Sequence, residues 1–145
     1  MIKNFLACVC LMVGFVANGY CQGWYSNNSN SGKQIQSSVT ASLTIQNRSS
    51  YALTVKIMRT GGRGLYQTLT IAPNSSGYVS FSKSDSFYTK TKASKGLETL
   101  YKKSGSFSIQ CDERGYSQAT LQFYVSSGNG GSGQSISKSE FDSNK

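Results

Sequence analysis

The chain has 145 residues, with 15 basic and 6 acidic side chains, no histidine and a formal charge of +9. That length makes one domain, and the missing imidazoles exclude Ser-His-Asp and Cys-His nucleophile systems, His-based metal sites and a histidine switch near neutral pH. With 37% hydrophobic, 12% aromatic and only 14% charged residues, the composition excludes a wholly disordered chain and a long solvated helix or coiled coil.

The first element is an address. Lys3 precedes an apolar run from Phe5 to Ala17. A bilayer-spanning helix needs about 20 apolar residues, so the run is short for an anchor. A basic start, a short apolar run and then small residues have the layout of a secretory signal peptide. Cleavage falls after Gly19 or after Cys21, which assigns residues 1–21 to the signal and sends the protein out of the cell or into a periplasm. A buried strand or helix of the mature fold is the competing reading of the same run. No second apolar run occurs, so no transmembrane segment is expected. A lipid anchor at Cys21 is disfavoured, because a lipobox wants a small residue where Tyr20 stands. Of the four cysteines, Cys8 and Cys10 leave with the signal. Cys21 and Cys111 form a disulfide only if Cys21 is retained; otherwise Cys111 reads as a small buried hydrophobe.

Residues 22–38 are Ser, Asn, Gly, Lys and Gln around Trp24 and Tyr25, and they read as a flexible polar leader. Residues 39–125 alternate apolar and polar almost throughout, as half-buried strands do. Val39 to Ile45, Tyr51 to Ile57, Leu69 to Ile71, Val79 to Phe81, Phe87 to Thr91, Phe107 to Cys111 and Leu121 to Val125 give seven candidate strands, and Leu97 to Lys102 a weaker eighth. The breaks carry turn residues at Asn47–Ser50, Gly61–Gly64, Pro73–Gly77, Ser104-Gly105 and Asp112–Gly115. Short strands at this spacing predict an all-β fold, a single antiparallel β-sandwich. Without a helical period to carry βαβ crossovers, parallel pairing is not expected. The tail, 126–145, opens on a Gly/Ser-rich run and reads as flexible. Ser137 and Glu140 have the spacing of a capping box, but the helix they would start is too short to stand alone. Ile136 and Phe141 are the tail residues able to dock.

In general architecture the 39–125 region resembles immunoglobulin-like sandwiches, although the only Trp precedes the domain and the Cys…Trp…Cys core is missing. The resemblance is one of strand number and spacing, and it implies no function.

The best candidate site is Lys83 to Lys103, which holds Lys83, Lys90, Lys92, Lys95, Lys102 and Lys103 against Asp85 and Glu98. If Phe87, Thr89 and Thr91 face the core, Tyr88, Lys90 and Lys92 form a ladder facing solvent. Tyr78 and Tyr124 also fall on the polar phase of their strands. A face of tyrosine and lysine suits an anionic ligand, because tyrosine stacks on sugars and lysine draws sulfate, phosphate or carboxylate. The binding residues expected are Tyr88, Lys90, Lys92, Tyr78, Tyr124, Lys102 and Lys103. A solvated face with lysines guarding an edge is the bland alternative.

Catalytic, metal and cofactor sites are not expected. Asp112 and Glu113 are neighbours that point to opposite faces of a strand, a poor acid/base pair, and no acidic cluster suits calcium. Gly61–Gly64 lies between strands, where a phosphate cradle would need a helix N-terminus. Nucleic acid is a disfavoured partner, since no recognition motif accompanies the charge. The expectation is a secreted, non-enzymatic binding module acting at a cell surface on an anionic polysaccharide or a protein. The alternatives are an assembly subunit that uses its flexible termini for strand addition, a secreted inhibitor or immunity-type protein and, last, a small hydrolase.

Overall fold

A computed structural model of the chain describes residues 40–124 and 133–145 and the backbone of 8–15, 125 and 126. It is all-β, with two sheets enclosing one core. The strands are β1 (Cys8–Phe15), β2 (Ala41–Asn47), β3 (Ala52–Arg59), β4 (Leu65–Ile71), β5 (Ser76–Phe81), β6 (Asp85–Lys95), β7 (Glu98–Lys103), β8 (Phe107–Ile109), β9 (Cys111–Asp112), β10 (Gly115–Tyr116), β11 (Gln118–Ser126) and β12 (Gln134–Ser135). A single short helix among the described residues, α1, spans Lys138–Asp142. One sheet has the order β1-β11-β2-β5; the other runs β12-β7-β6-β3-β4, with β8 also pairing β6. β9 and β10 form a separate small hairpin.

Period-two alternation produces the two layers. Ala41, Leu43 and Ile45 of β2, Leu53, Val55 and Ile57 of β3, Val79 and Phe81 of β5, Phe87 and Ala93 of β6, and Ala119, Leu121 and Phe123 of β11 join one buried cluster. Aromatic rings tie the sheets together. Phe81 of β5 lies 5.1 Å from the stacked ring of Tyr66 on β4 and 4.7 Å from Phe87 on β6, and Phe87 lies 6.1 Å from Phe107 on β8. Cys111 belongs to this core. Cys21, the other half of the disulfide considered above, and the leader 22–38 lie outside the described residues.

Two local devices set the corners. Asn47 is buried at the end of β2. Its amide donates to Tyr51 O at 2.7 Å and Ala72 O at 2.9 Å, and its Oδ1 accepts from the Ser49 hydroxyl at 2.7 Å. One side chain thereby joins the β2–β3 turn to the end of β4. Between β3 and β4 the chain turns through Gly61, Gly62 and Gly64 at φ of +71°, +72° and +81°, which glycine adopts without a Cβ clash.

Three features depart from the sequence expectation. β2 and β11 pair in parallel, Leu43 opposite Ala119 and Ile45 opposite Leu121. A parallel pair needs a long return path rather than a helix, and the strands between Asn47 and Gln118 supply it. Cys8–Phe15 is a strand that pairs antiparallel with β11 from Cys8↔Ser126 to Phe15↔Ala119. Residues 133–145 do not trail loosely: they add β12 to the margin of β7 and then form α1 against the sheet.

The strand phase yields a direct check. Phe123 is buried in the core and Tyr124 is half-buried on the opposite face. Phe123→Ala is expected to destabilise by about 3–5 kcal/mol in denaturant titration, and Tyr124→Ala by much less. The reverse order would put the register one residue out.

Candidate functional site

The expected binding residues divide between the two outer faces. Tyr78 of β5, 60% exposed, and Tyr124 of β11 belong to the β1-β11-β2-β5 sheet. Tyr88, Lys90, Lys92, Lys102 and Lys103 belong to the other sheet. They do not form one surface.

On β6 the inward residues are those the alternation picks out: Phe87, Thr89, Thr91 and Ala93 are buried. Tyr88, Lys90 and Lys92 take the opposite phase, yet Lys90 is only 2% exposed. The open ladder is therefore corrected: its central lysine is covered. Lys102 is corrected too. It pairs with Thr91, an inward position, and reaches sideways at the margin to donate to Ser135 Oγ at 2.8 Å.

The lysines that line up do so across the strands rather than along β6. Lys56 of β3 is directly opposite Lys90, and Lys90 is directly opposite Lys103 of β7. Opposed residues in an antiparallel pair have Cβ atoms about 4.5–5.5 Å apart, where like charges repel. Three ammonium groups thus crowd one row.

The C-terminal segment lies over that row. Lys90 Nζ donates to Glu140 O at 2.8 Å, Ser143 O at 2.9 Å and Lys145 O at 3.4 Å. Lys56 Nζ donates to Asp142 O at 3.2 Å and Asn144 Oδ1 at 3.0 Å. Lys103 Nζ stands 3.6 Å from the Glu140 carboxylate and 5.0 Å from the centre of the Tyr88 ring. Carbonyls at a helix C-terminus carry partial negative charge, so an ammonium is well placed there.

α1 is too short to be stable alone, and its sequence and partners explain it. Ser137 caps it, its Oγ accepting from Glu140 N–H at 3.1 Å. Phe141 is buried, 5.5 Å from the Tyr101 ring and beneath Lys56 Nζ at 4.9 Å from its ring centre. Before the helix, β12 pairs with β7, and Ile136 N–H donates to Tyr101 O at 3.2 Å. At the far end Asn144 O comes within 3.1 Å of where a Cβ on Gly64 would stand, so the β3–β4 turn needs glycine there for space as well as conformation. The capping-box spacing and the pair Ile136 and Phe141 were the legible signals. Lys56 and Tyr101 were missed, because only the register of β3 and β7 against β6 brings them to this face.

Burial makes Lys90 less basic than an ordinary lysine; Glu140 opposes that shift, and Lys103 and Lys56 reinforce it. Undocked, the same lysine binds its proton more tightly. The docked state therefore gains stability as pH rises through the window between the lowered value and the ordinary 10.5.

A second basic cleft opens beside β4 and β6, lined by Arg59, Arg63, Tyr66, Lys83 and Asp85. Asp85 accepts a forked pair of hydrogen bonds from Arg63 and lies 3.9 Å from Arg59. The Arg63 guanidinium, then the Ser86 N–H, hold its carboxyl below the usual range. Asp85 offsets one of the three positive charges of Arg59, Arg63 and Lys83 that line this cleft. Among the described residues no three metal-ligating side chains come together, and no helix is long and apolar enough to cross a membrane.

No family model matches the chain, and no curated protein or solved structure matches it at a significant level.

Lys90→Gln removes the buried ammonium. Losing three bonds from Nζ to the segment, at about 0.5–1.5 kcal/mol net each, set against the relief of no longer burying a charge, should raise opening of residues 133–145 several-fold, read as tryptic cleavage after Lys138 under native conditions. Lys92→Gln, on a half-buried neighbour outside these bonds, should leave cleavage unchanged.

Proposed function

We propose that the protein is a secreted, non-enzymatic binding module that acts at a cell surface on an anionic polysaccharide or an acidic protein. The carrying observation is the row Lys56, Lys90 and Lys103 on one sheet face, with Lys92 beside it and the Glu140 carboxylate as the acid paired to the row. Tyr88 and Tyr101 supply rings on the same face. The face accepts oxygen atoms and an aromatic ring from the chain's own C-terminal segment, which are the groups an acidic sugar or peptide would offer. A net charge of +9 favours encounter with an anionic surface. The lack of histidine favours binding over catalysis.

Salt should set the affinity, because screening over a Debye length of about 8 Å weakens exposed contacts at physiological ionic strength. The exported protein is expected to be retained on an acidic polysaccharide matrix at low salt, released by moderate salt, and not retained on a neutral matrix. Retention that ignores salt, or none at all, would count against this function.

Assembly by strand addition has separate support. β11 accepts Cys8–Phe15 along its outer edge, and that is the segment expected to leave on export. Its loss would expose a row of unpaired N–H and C=O groups, which another chain's strand can complete. N-terminal sequencing together with light scattering decides this. Processed protein that associates with rising concentration, while chain retaining residues 8–15 stays monomeric, supports assembly. Processed protein that stays monomeric removes it.

A further inference from the structure

We propose that the C-terminal segment 133–145 is a displaceable stand-in for the ligand, and that the site beneath it binds a linear polyanion carrying sulfate or phosphate groups across the strands. This inference rests on the function proposed above and names its ligand class and its control.

Strands stand about 4.8 Å apart, so the row from Lys56 through Lys90 to Lys103 spans roughly 10 Å perpendicular to β6. A single small anion would reach one or two of these ammonium groups. A linear polymer crossing the strands would meet all three. The segment already follows that course. It leaves the margin at β7, places Glu140 against Lys103, passes over Lys90 with the carbonyls of Glu140 and Ser143, and reaches Lys56 with Asp142 O and Asn144 Oδ1.

Its charge match is poor. Within 133–145 Lys138 and Lys145 offset Glu140 and Asp142, and the three ammonium groups are met by carbonyl oxygens, by the Glu140 carboxylate and, 3.4 Å from Lys90 Nζ, by an oxygen of Lys145. The other acidic side chain of α1, Asp142, pairs with Lys138 of the same helix at 3.7 Å. A polyanion would bring a full negative charge to each lysine, where charge-assisted bonds are strongest. Apart from its bonds to the lysines, for which a ligand would compete, the segment is held by the two backbone pairings of β12, the Ile136 N–H and the ring of Phe141. Competition between segment and ligand for the same three ammonium groups makes release and binding one event.

The test uses the full chain, a heparin-derived octasaccharide as the sulfate probe and a polyphosphate of similar length as the phosphate probe. Phe141→Ala loosens the segment and leaves the lysines in place. Glu140→Gln, at an exposed position, is the milder second variant if Phe141→Ala does not fold. Affinity is read by calorimetry, and release by amide hydrogen exchange at Ile136, Phe141 and Ser143, whose N–H groups are bonded in the closed form. Either probe should accelerate exchange at these amides in the unmodified protein. Phe141→Ala should bind at least tenfold more tightly, Glu140→Gln about two- to threefold, and adding Lys90→Gln to either should cancel the gain. The stronger of the two probes identifies the anionic group. Binding with unchanged or slower exchange, and equal affinity in all variants, would overturn the stand-in and leave binding at the cationic surface standing. No binding by any form, loosened variants included, would remove the function itself.

Discussion

Three lysines in register on adjacent strands are the arrangement on which the outer face of the larger sheet depends. Lys56, Lys90 and Lys103 are fixed side by side by the pairing of β3, β6 and β7, which the core residues on the other side of those strands dictate. The repulsion cannot be relieved by a change of register, since a slip of one residue would carry Thr89, Thr91 and Phe87 out of the core. It has to be met from outside the sheet. The carbonyls of α1 and of the residues after it meet it, with Glu140 at one end and Phe141 sealing the contact against Tyr101. A buried ammonium without such partners would be strongly destabilising. The position of the last residues therefore follows from the pairing of strands far earlier in the chain.

The core was legible because alternation is a local signal. Leu43, Val55, Phe87 and Phe123 each follow from their own segment, and the eight expected strands are all present. The turn residues were equally readable, as at Gly61 and Gly62, where left-handed backbone selects glycine. What escaped was long-range. Lys90 occupies the outward phase of its strand, as alternation requires, and is buried only because a helix from the other end of the chain lies on it. Nothing in the neighbourhood of Lys90 announces that. The parallel pairing of β2 with β11 is hidden for the same reason, since it joins segments at opposite ends of the domain. In the tail, Ser137 and Glu140 did carry a helix signal, but helix propensity weighed too little for so short an element. Tertiary contact at Phe141 made up the difference.

The two outer faces differ in chemistry. The face of β2, β5 and β11 is uncharged over much of its extent, with Gln122 bonded to Gln46 at 3.0 Å, Arg48 reaching the same glutamine, and Tyr78 open to solvent. The opposite face concentrates positive charge and covers it with the chain's own segment. On the proposed readings, a partner drawn by charge would meet the second face, and a partner adding a strand would meet the edge of β11 once Cys8–Phe15 had left it. The two modes do not compete for the same residues.

The central claim, that a buried Lys90 ammonium held by carbonyls anchors the C-terminal segment, is tested most directly by lysine side-chain NMR of the full chain. The account predicts one ammonium whose protons exchange slowly and whose titration midpoint lies below the ordinary lysine value of 10.5, assigned to Lys90 through its loss in Lys90→Gln. A Lys90 resonance that exchanges fast and titrates at or above that ordinary value would contradict it.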